Sequence, residues 1–294
     1  MEHTPDQVHG FLFEHLDIRG QHLQVESAWQ AMIAQRHYPP GLVTLLGELT
    51  AMTLLMAKNM KHPGRVTLQV QGQGPVSLLM VEATEQLHLR GVAKTRETLA
   101  PDMTDMQSLL GDGKIMMTLE NTVTHHLFQS FVERKGTCLQ DSFEHYFSQS
   151  DQQPTRLWLA ADQQRISALL LQKLPEADTH DTEGWDRINL LADTLQPQEL
   201  QTLPAHTLLH RLFHEETVRV FEPKMVTYHC PRDREKVARM IQSLGLAQAR
   251  QIIEQEGAIV VHNEVCDFHE KFTLADIEAL FDDDVLKAEA SRQH

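Results

Sequence analysis

Cysteine is scarce in this sequence. Three residues in 294, an odd number, argue against the disulfide framework that holds small secreted domains together. Basic side chains are outnumbered: 26 Lys and Arg against 41 Asp and Glu give a net charge of −15. That balance argues against binding to nucleic acid or to an anionic membrane, where cationic surface supplies most of the affinity. No apolar run approaches the roughly 18–20 residues of a membrane span, so no membrane partner is expected. The opening stretch, MEHTPDQVHG, lacks a basic segment followed by an apolar one, so it does not read as a secretory signal, and a cytoplasmic location is expected. Catalytic motifs are missing too. There is no Cys-x-x-Cys, no His-Glu-x-x-His, no nucleophile elbow and no complete phosphate loop. Gly72-Gln73-Gly74-Pro75 lacks the Lys-Ser/Thr ending of such a loop and reads as a hairpin turn. The chain is not expected to be an enzyme.

What is present divides unevenly. Hydrophobic residues make up 41%, enough for a real core, and 294 residues favour two domains over one. Residues 6–25 read as a strand pair turning at Arg19-Gly20, and residues 27–36 as a helix capped by Ser27. Residues 41–60, with Met52, Met56 and Met60, form the most apolar helix, broad enough in its apolar face to be buried between layers. Strand patterns follow at 65–71, 76–82, 86–92, 114–120, 122–132, 155–161 and 166–172, with a helix carrying Cys138 at 137–149. Cys138 reads as a small buried hydrophobe, not a reactive thiol. The fold class expected is α+β, in three parts: an N-terminal domain over 1–175, a charged helical linker over 176–224 and a small module over 225–294. Residues 176–222 hold ten acidic and three basic residues, and helical patterns near 185–195 and 204–214. A segment so charged and so modestly apolar docks on a surface and leaves it easily. His214-Glu215-Glu216 within it could be an acid/base cluster, but a helix end is the simpler account.

The last module concentrates the chemistry. A strand at 225–229, helices at 231–244 (Pro231 in the first turn) and 246–255, strands at 258–262 and 268–272, and a final helix capped by Thr273 are expected. Asp282, Asp283 and Asp284 lead into a polar tail. Cys230 and Cys266 each open a polar turn after an apolar run, beside His229, His262 and His269. A unit of about 60 residues is marginal without a staple, so a metal, a disulfide or docking is expected.

The chain resembles the heat shock protein 33 family of redox-regulated holdase chaperones. The resemblance rests on FLFEHLDIRGQ at 11–21, VTLQVQGQGP at 66–75, LLGDGKIMMTL at 109–119 and CLQDSFEHYFSQSDQQPTRL at 138–157. It continues through LPAHTLLHRLFHEETVRVFEP at 203–223 and FTLADIEAL at 272–280. It implies a metastable linker, unfolding client proteins as partners, no use of ATP, and a C-terminal module in which four thiolates hold one zinc ion; a homodimer stands among the candidate partners but is not fixed by the sequence. Oxidation in such a module pairs the thiolates and releases the metal. The apolar helix 41–60 and the linker would then be the client-facing elements, the linker acting as a cover.

The residues depart from that pattern at its centre. Cys230 and Cys266 match the first and fourth thiolates, whereas Arg232 and Asn263 stand at the second and third positions. Three readings remain open on sequence. The switch is lost. Or zinc is held through Cys230 and Cys266 with His262, His269 or His229 as replacement ligands. Or Cys230 and Cys266 form one disulfide that staples the module shut.

Overall fold

A computed structural model of the chain describes residues 5–175, 177 and 181–281. The chain divides into two units, Met1–His229 and Cys230–His294. The Asp282–Asp284 run lies outside the described residues.

The first unit is built on two sheets and a helix between them. One sheet holds β1 (Gln7–Phe13), β2 (Ile18–Val25), β8 (Thr155–Ala161), β9 (Ile166–Lys173), β10 (Val218–Val220) and β11 (Lys224–Met225), in the order β10-β1-β2-β9-β8, with β11 also on β1. The other holds β3 (Gly64–Gln71), β4 (Val76–Thr84), β5 (His88–Thr95), β6 (Lys114–Asn121), β7 (Leu127–Val132) and β12 (Thr227–Tyr228), in the order β12-β5-β4-β3-β6-β7. Neighbours pair antiparallel except β12 on β5. The expected hairpin at Gly72–Pro75 is the β3-β4 turn.

After α1 (Ser27–Ile33), helix α2 (Pro40–Lys58) runs between the sheets and packs on strands of both. Contrary to the expectation that no apolar run approaches a membrane span, its length and composition would suit one, yet most of it is buried inside the fold. Leu42, Leu46, Leu49, Met52, Leu54 and Leu55 are fully enclosed, each such burial contributing about 1.5–3 kcal/mol. Enclosure corrects the client-facing role expected for residues 41–60, because both sheets already occupy the apolar faces of α2.

Period-two alternation explains why the first sheet needs a further layer. In β9, Ala168 and Leu170 join the core around α2, while Leu169 and Leu171 point the other way into a second apolar cluster. That cluster is completed by α5 (Gly184–Ala192), α6 (Pro197–Thr202) and α7 (Ala205–Phe213), which follow α3 (Met106–Leu110) and α4 (Leu139–Tyr146) in the chain.

Several local expectations shift. The β1-β2 turn falls at residues 14–17, with Asp17 in the left-handed region at φ 48°, and not at Arg19-Gly20. Gly20 lies inside β2 because the Phe11 ring lies across it; a Cβ there would fall on that ring. Helix α1 is not capped by Ser27. The Asp6 carboxylate accepts from the N–H groups of Glu26 (2.9 Å), Ser27 (3.3 Å) and Ala28 (3.0 Å), a cap supplied from twenty residues away. Cys138 sits at the N-cap of α4, ahead of the helix it was expected to ride on.

The second unit contains α8 (Arg234–Leu244), α9 (Leu246–Glu256), the hairpin β13 (Ile259–Asn263) and β14 (Phe268–Phe272), and a helix α10 over 274–281. Asp233 caps α8 through the Lys236 N–H (2.9 Å), so Pro231 lies outside the first turn expected for it. Thr273 caps α10 as expected, with Asp276 accepting from the Thr273 N–H in return. The core is small: Ala238, Ile241, Ala249, Ile253, Ile259, Phe272 and Ile277.

Candidate functional site

Two features carry functional chemistry, and each lies within one unit. The first is the cysteine site. Strand β13 ends at Asn263, whose partner across the hairpin is Phe268, leaving 264–267 as the turn that carries Cys266. Asn263 shapes that turn: its Oδ1 accepts the N–H groups of Val265 and Cys266, each at 3.1 Å. Cys230 and Cys266 are both half-buried and joined as a disulfide, with Cα atoms 5.8 Å apart and a separation of 36 positions in sequence. Closing a loop of that length stabilises by roughly 4 kcal/mol in the chain-entropy account, large beside a core of seven buried side chains.

The neighbours are engaged elsewhere. The Arg232 guanidinium lies over the Phe268 ring, 5.3 Å from its centroid. His262 and His269 pair directly across the hairpin with rings stacked at 4.3 Å and 9°, both exposed, and His262 Nε2 lies 2.9 Å from Asp267 Oδ1. The His229 ring packs on His88 of the first unit at 4.9 Å. Among the described residues no three His, Cys, Asp or Glu side chains converge in a metal-holding group. The donor set therefore does not fit the four-ligand zinc centre implied by the family resemblance. Of the histidines offered as replacement ligands, His262 and His269 stack on each other and His229 packs on His88.

The third cysteine is set apart. Burial pushes the Cys138 thiol up from its usual range, and the nearby Asp141 and Glu48 carboxyls act in the same direction. A thiol held protonated is a poor nucleophile, in keeping with a packing role.

The second feature is the covered face of the first sheet. Phe11, Phe13, Leu16, Ile18, Ala160, Leu169 and Leu171 present one apolar surface. Over it lie Ile188 and Ala192 of α5, Leu200 of α6, and Leu208, Leu209, Leu212 and Phe213 of α7, the last four at the spacing that puts them on one helical stripe. Phe213 meets Phe13 edge to face at 5.0 Å. Polar ties hold the rim. Gln24 Nε2 donates to the carbonyls of Leu200 (3.0 Å) and Leu203 (2.8 Å), and Arg165 to that of Gln201 (3.1 Å). Arg156 pairs with Asp193 at 2.8 Å. Glu216, part of the candidate acid/base cluster, is held by Arg187 at 2.8 Å, while Glu215 stays exposed beside His214 at 4.0 Å. The trio follows the end of α7, with His214 at its C-cap. Most of these ion pairs are solvent-accessible and individually weak, so the cover depends on its apolar stripe.

Comparison with known proteins adds a family context. The model of the Hsp33 protein family matches residues 6–273. The 33 kDa chaperonin of Nitrosococcus oceani is 36% identical over 289 residues, covering 98% of this chain and 99% of that protein. That of Shewanella denitrificans is 38% identical over 288 residues, with 98% and 99% covered. The crystal structure of the Thermotoga maritima 33 kDa chaperonin superimposes with a TM-score of 0.81 over 95% of this chain and 99% of that one, at 18% identity, a likeness of fold.

Proposed function

The chain belongs to the Hsp33 family, and from that premise we propose that it is an ATP-independent holdase that binds unfolding proteins and keeps them from aggregating. The family is one of chaperones and not of enzymes. The observation that carries the reading is the apolar sheet face beneath α5–α7. Among the described residues its covering layer is a run of short helices within a strongly acidic segment, 10 acidic against 3 basic residues over 176–222. Release of that layer would present Phe11, Phe13, Leu169 and Leu171 to an unfolded chain, and the net charge of −15 would keep the complex dispersed. In this reading residues 1–175 are the chaperone domain, 176–224 the cover and 225–294 the former zinc module, acting in the cytoplasm.

The test is aggregation of several unrelated proteins during thermal or chemical unfolding, without nucleotide. Suppression of all of them is expected. Failure with every client, together with one tight partner in a pulldown, would instead indicate an adaptor.

A second copy of the chain belongs to the same proposal. Strand β7 ends its sheet, and Leu127 (57% exposed) and Phe131 (69% exposed) share its outer face. Antiparallel pairing of β7 with itself about Gln129 would set each Leu127 opposite a Phe131 and each Glu133 opposite a His125. Phe131→Lys should then shift the sedimenting species from dimer to monomer; a wild-type monomer at every concentration would remove the dimer.

A further inference from the structure

The departures from a four-thiolate centre form a coherent set. A sulfur at the head of a metal-binding turn has two tasks, ligating the metal and accepting the N–H groups two and three residues on. Asn263 performs the second without the first. Its amide oxygen takes the Val265 and Cys266 N–H groups, while a neutral carbonyl suits hard cations and not a thiolate-preferring zinc site. Arg232 goes further, since its guanidinium cannot deprotonate and is spent on the Phe268 ring. The two remaining sulfurs are bonded to each other, across a Cα separation inside the range a disulfide spans without backbone movement. His262 and His269 stack on one another, and Asp267 holds His262. Each vacated position thus has a contact of its own that needs no metal.

We propose that the C-terminal unit is a metal-free module locked by the Cys230–Cys266 disulfide, and that its redox sense is reversed: reduction, not oxidation, loosens it. The co-reactant is a dithiol. One of its thiolates attacks a sulfur of the pair, the S–S bond breaks and the other cysteine leaves as a thiolate that takes a proton. The second thiol of the reductant then displaces the mixed disulfide. Two electrons and two protons pass to Cys230 and Cys266, and the reductant leaves as its disulfide. Both cysteine residues are partly exposed, as attack by a reductant requires. Any consequence for client binding rests on the holdase reading; the lock itself does not.

The full-length protein tests this with readouts independent of chaperone activity. Purified without reductant, the wild type should show one free thiol, Cys138, and no stoichiometric zinc. Reduction should speed proteolytic cleavage within 230–281 roughly tenfold or more. The Cys230→Ser/Cys266→Ser variant should be cleaved at the fast rate with or without reductant. Arg232→Cys/Asn263→Cys, prepared reduced, should take up about one zinc per chain. Wild-type protein that carries about one zinc, three free thiols after aerobic preparation, or a cleavage rate indifferent to reductant would each overturn the proposal. If the four-cysteine variant does not fold, the metal content, thiol count and proteolysis of the wild type decide alone.

Discussion

Phe213→Asp should turn the protein into a client binder that needs no trigger. Phe213 is 1% exposed, lies edge to face on Phe13, and sits at the end of the stripe formed by Leu208, Leu209 and Leu212. Truncating such a ring to alanine costs about 3–5 kcal/mol. A carboxylate adds the penalty of an unpaired charge in an apolar cluster. Among the described residues, Arg187 and Arg211 of the cover are already paired with Asp181, Glu216 and Glu199, and Arg219 lies 3.5 Å from Glu14. Helix α7 should therefore leave the sheet. The sheet should survive, because Val8, Leu23, Val25, Ala168 and Leu170 on its other face remain packed in the core around α2. The expected result is a several-fold rise in binding of an apolar fluorescent dye and full aggregation suppression without heat or oxidant. Leu190→Asp, on the same acidic segment but already 71% exposed, should change neither. Dye binding that rises while client protection does not would show that the covered face is not where clients bind.

The layer that this prediction disturbs was partly legible in the sequence. Strand β9 reads ISALLLQK, apolar at consecutive positions, and such a strand has both faces buried. That run announces that something must cover each side, and the acidic helical segment was the available candidate. What the sequence does not reveal is the registration: Gly20 looked like a turn because glycine usually marks one, whereas here it makes room for Phe11. The cap on α1 was hidden for a related reason, since Asp6 lies far from the helix in sequence and reaches it only once the sheet is formed. At the cysteine site, residue types alone left three outcomes open. Separating them needs the direction of each side chain. Asn263 turns into its own loop, His262 and His269 turn to each other, and Arg232 turns to a ring. No spacing rule reports those directions.

Glu48 provides the second large effect, and its sign depends on pH. It is the one acidic residue of α2, partly buried where that helix passes between the sheets. Burial raises its carboxyl from an ordinary 4.5 to about 7. Because the folded pKa stands above the unfolded one, the stabilising contribution is fully present below pH 4.5 and is lost as pH rises through about 7. A shift of that size corresponds to roughly 3 kcal/mol between the two limits. Glu48→Gln keeps the shape and removes the charge. It should match the wild type near pH 4.5, where both side chains are neutral, and exceed it by about 1–3 kcal/mol at pH 8. Denaturant midpoints across this range would read the difference directly. A constant offset between the two proteins at all pH values would mean that Glu48 does not titrate in the fold as argued. A glutamine that destabilises only at pH 8 would mean that the ionised carboxylate has a partner of its own. The expected gain at pH 8 alone would make the helix between the sheets a pH-sensitive element of the same unit that carries the covered face, most stabilising in acid and least in alkali, independent of any change at Cys230 and Cys266.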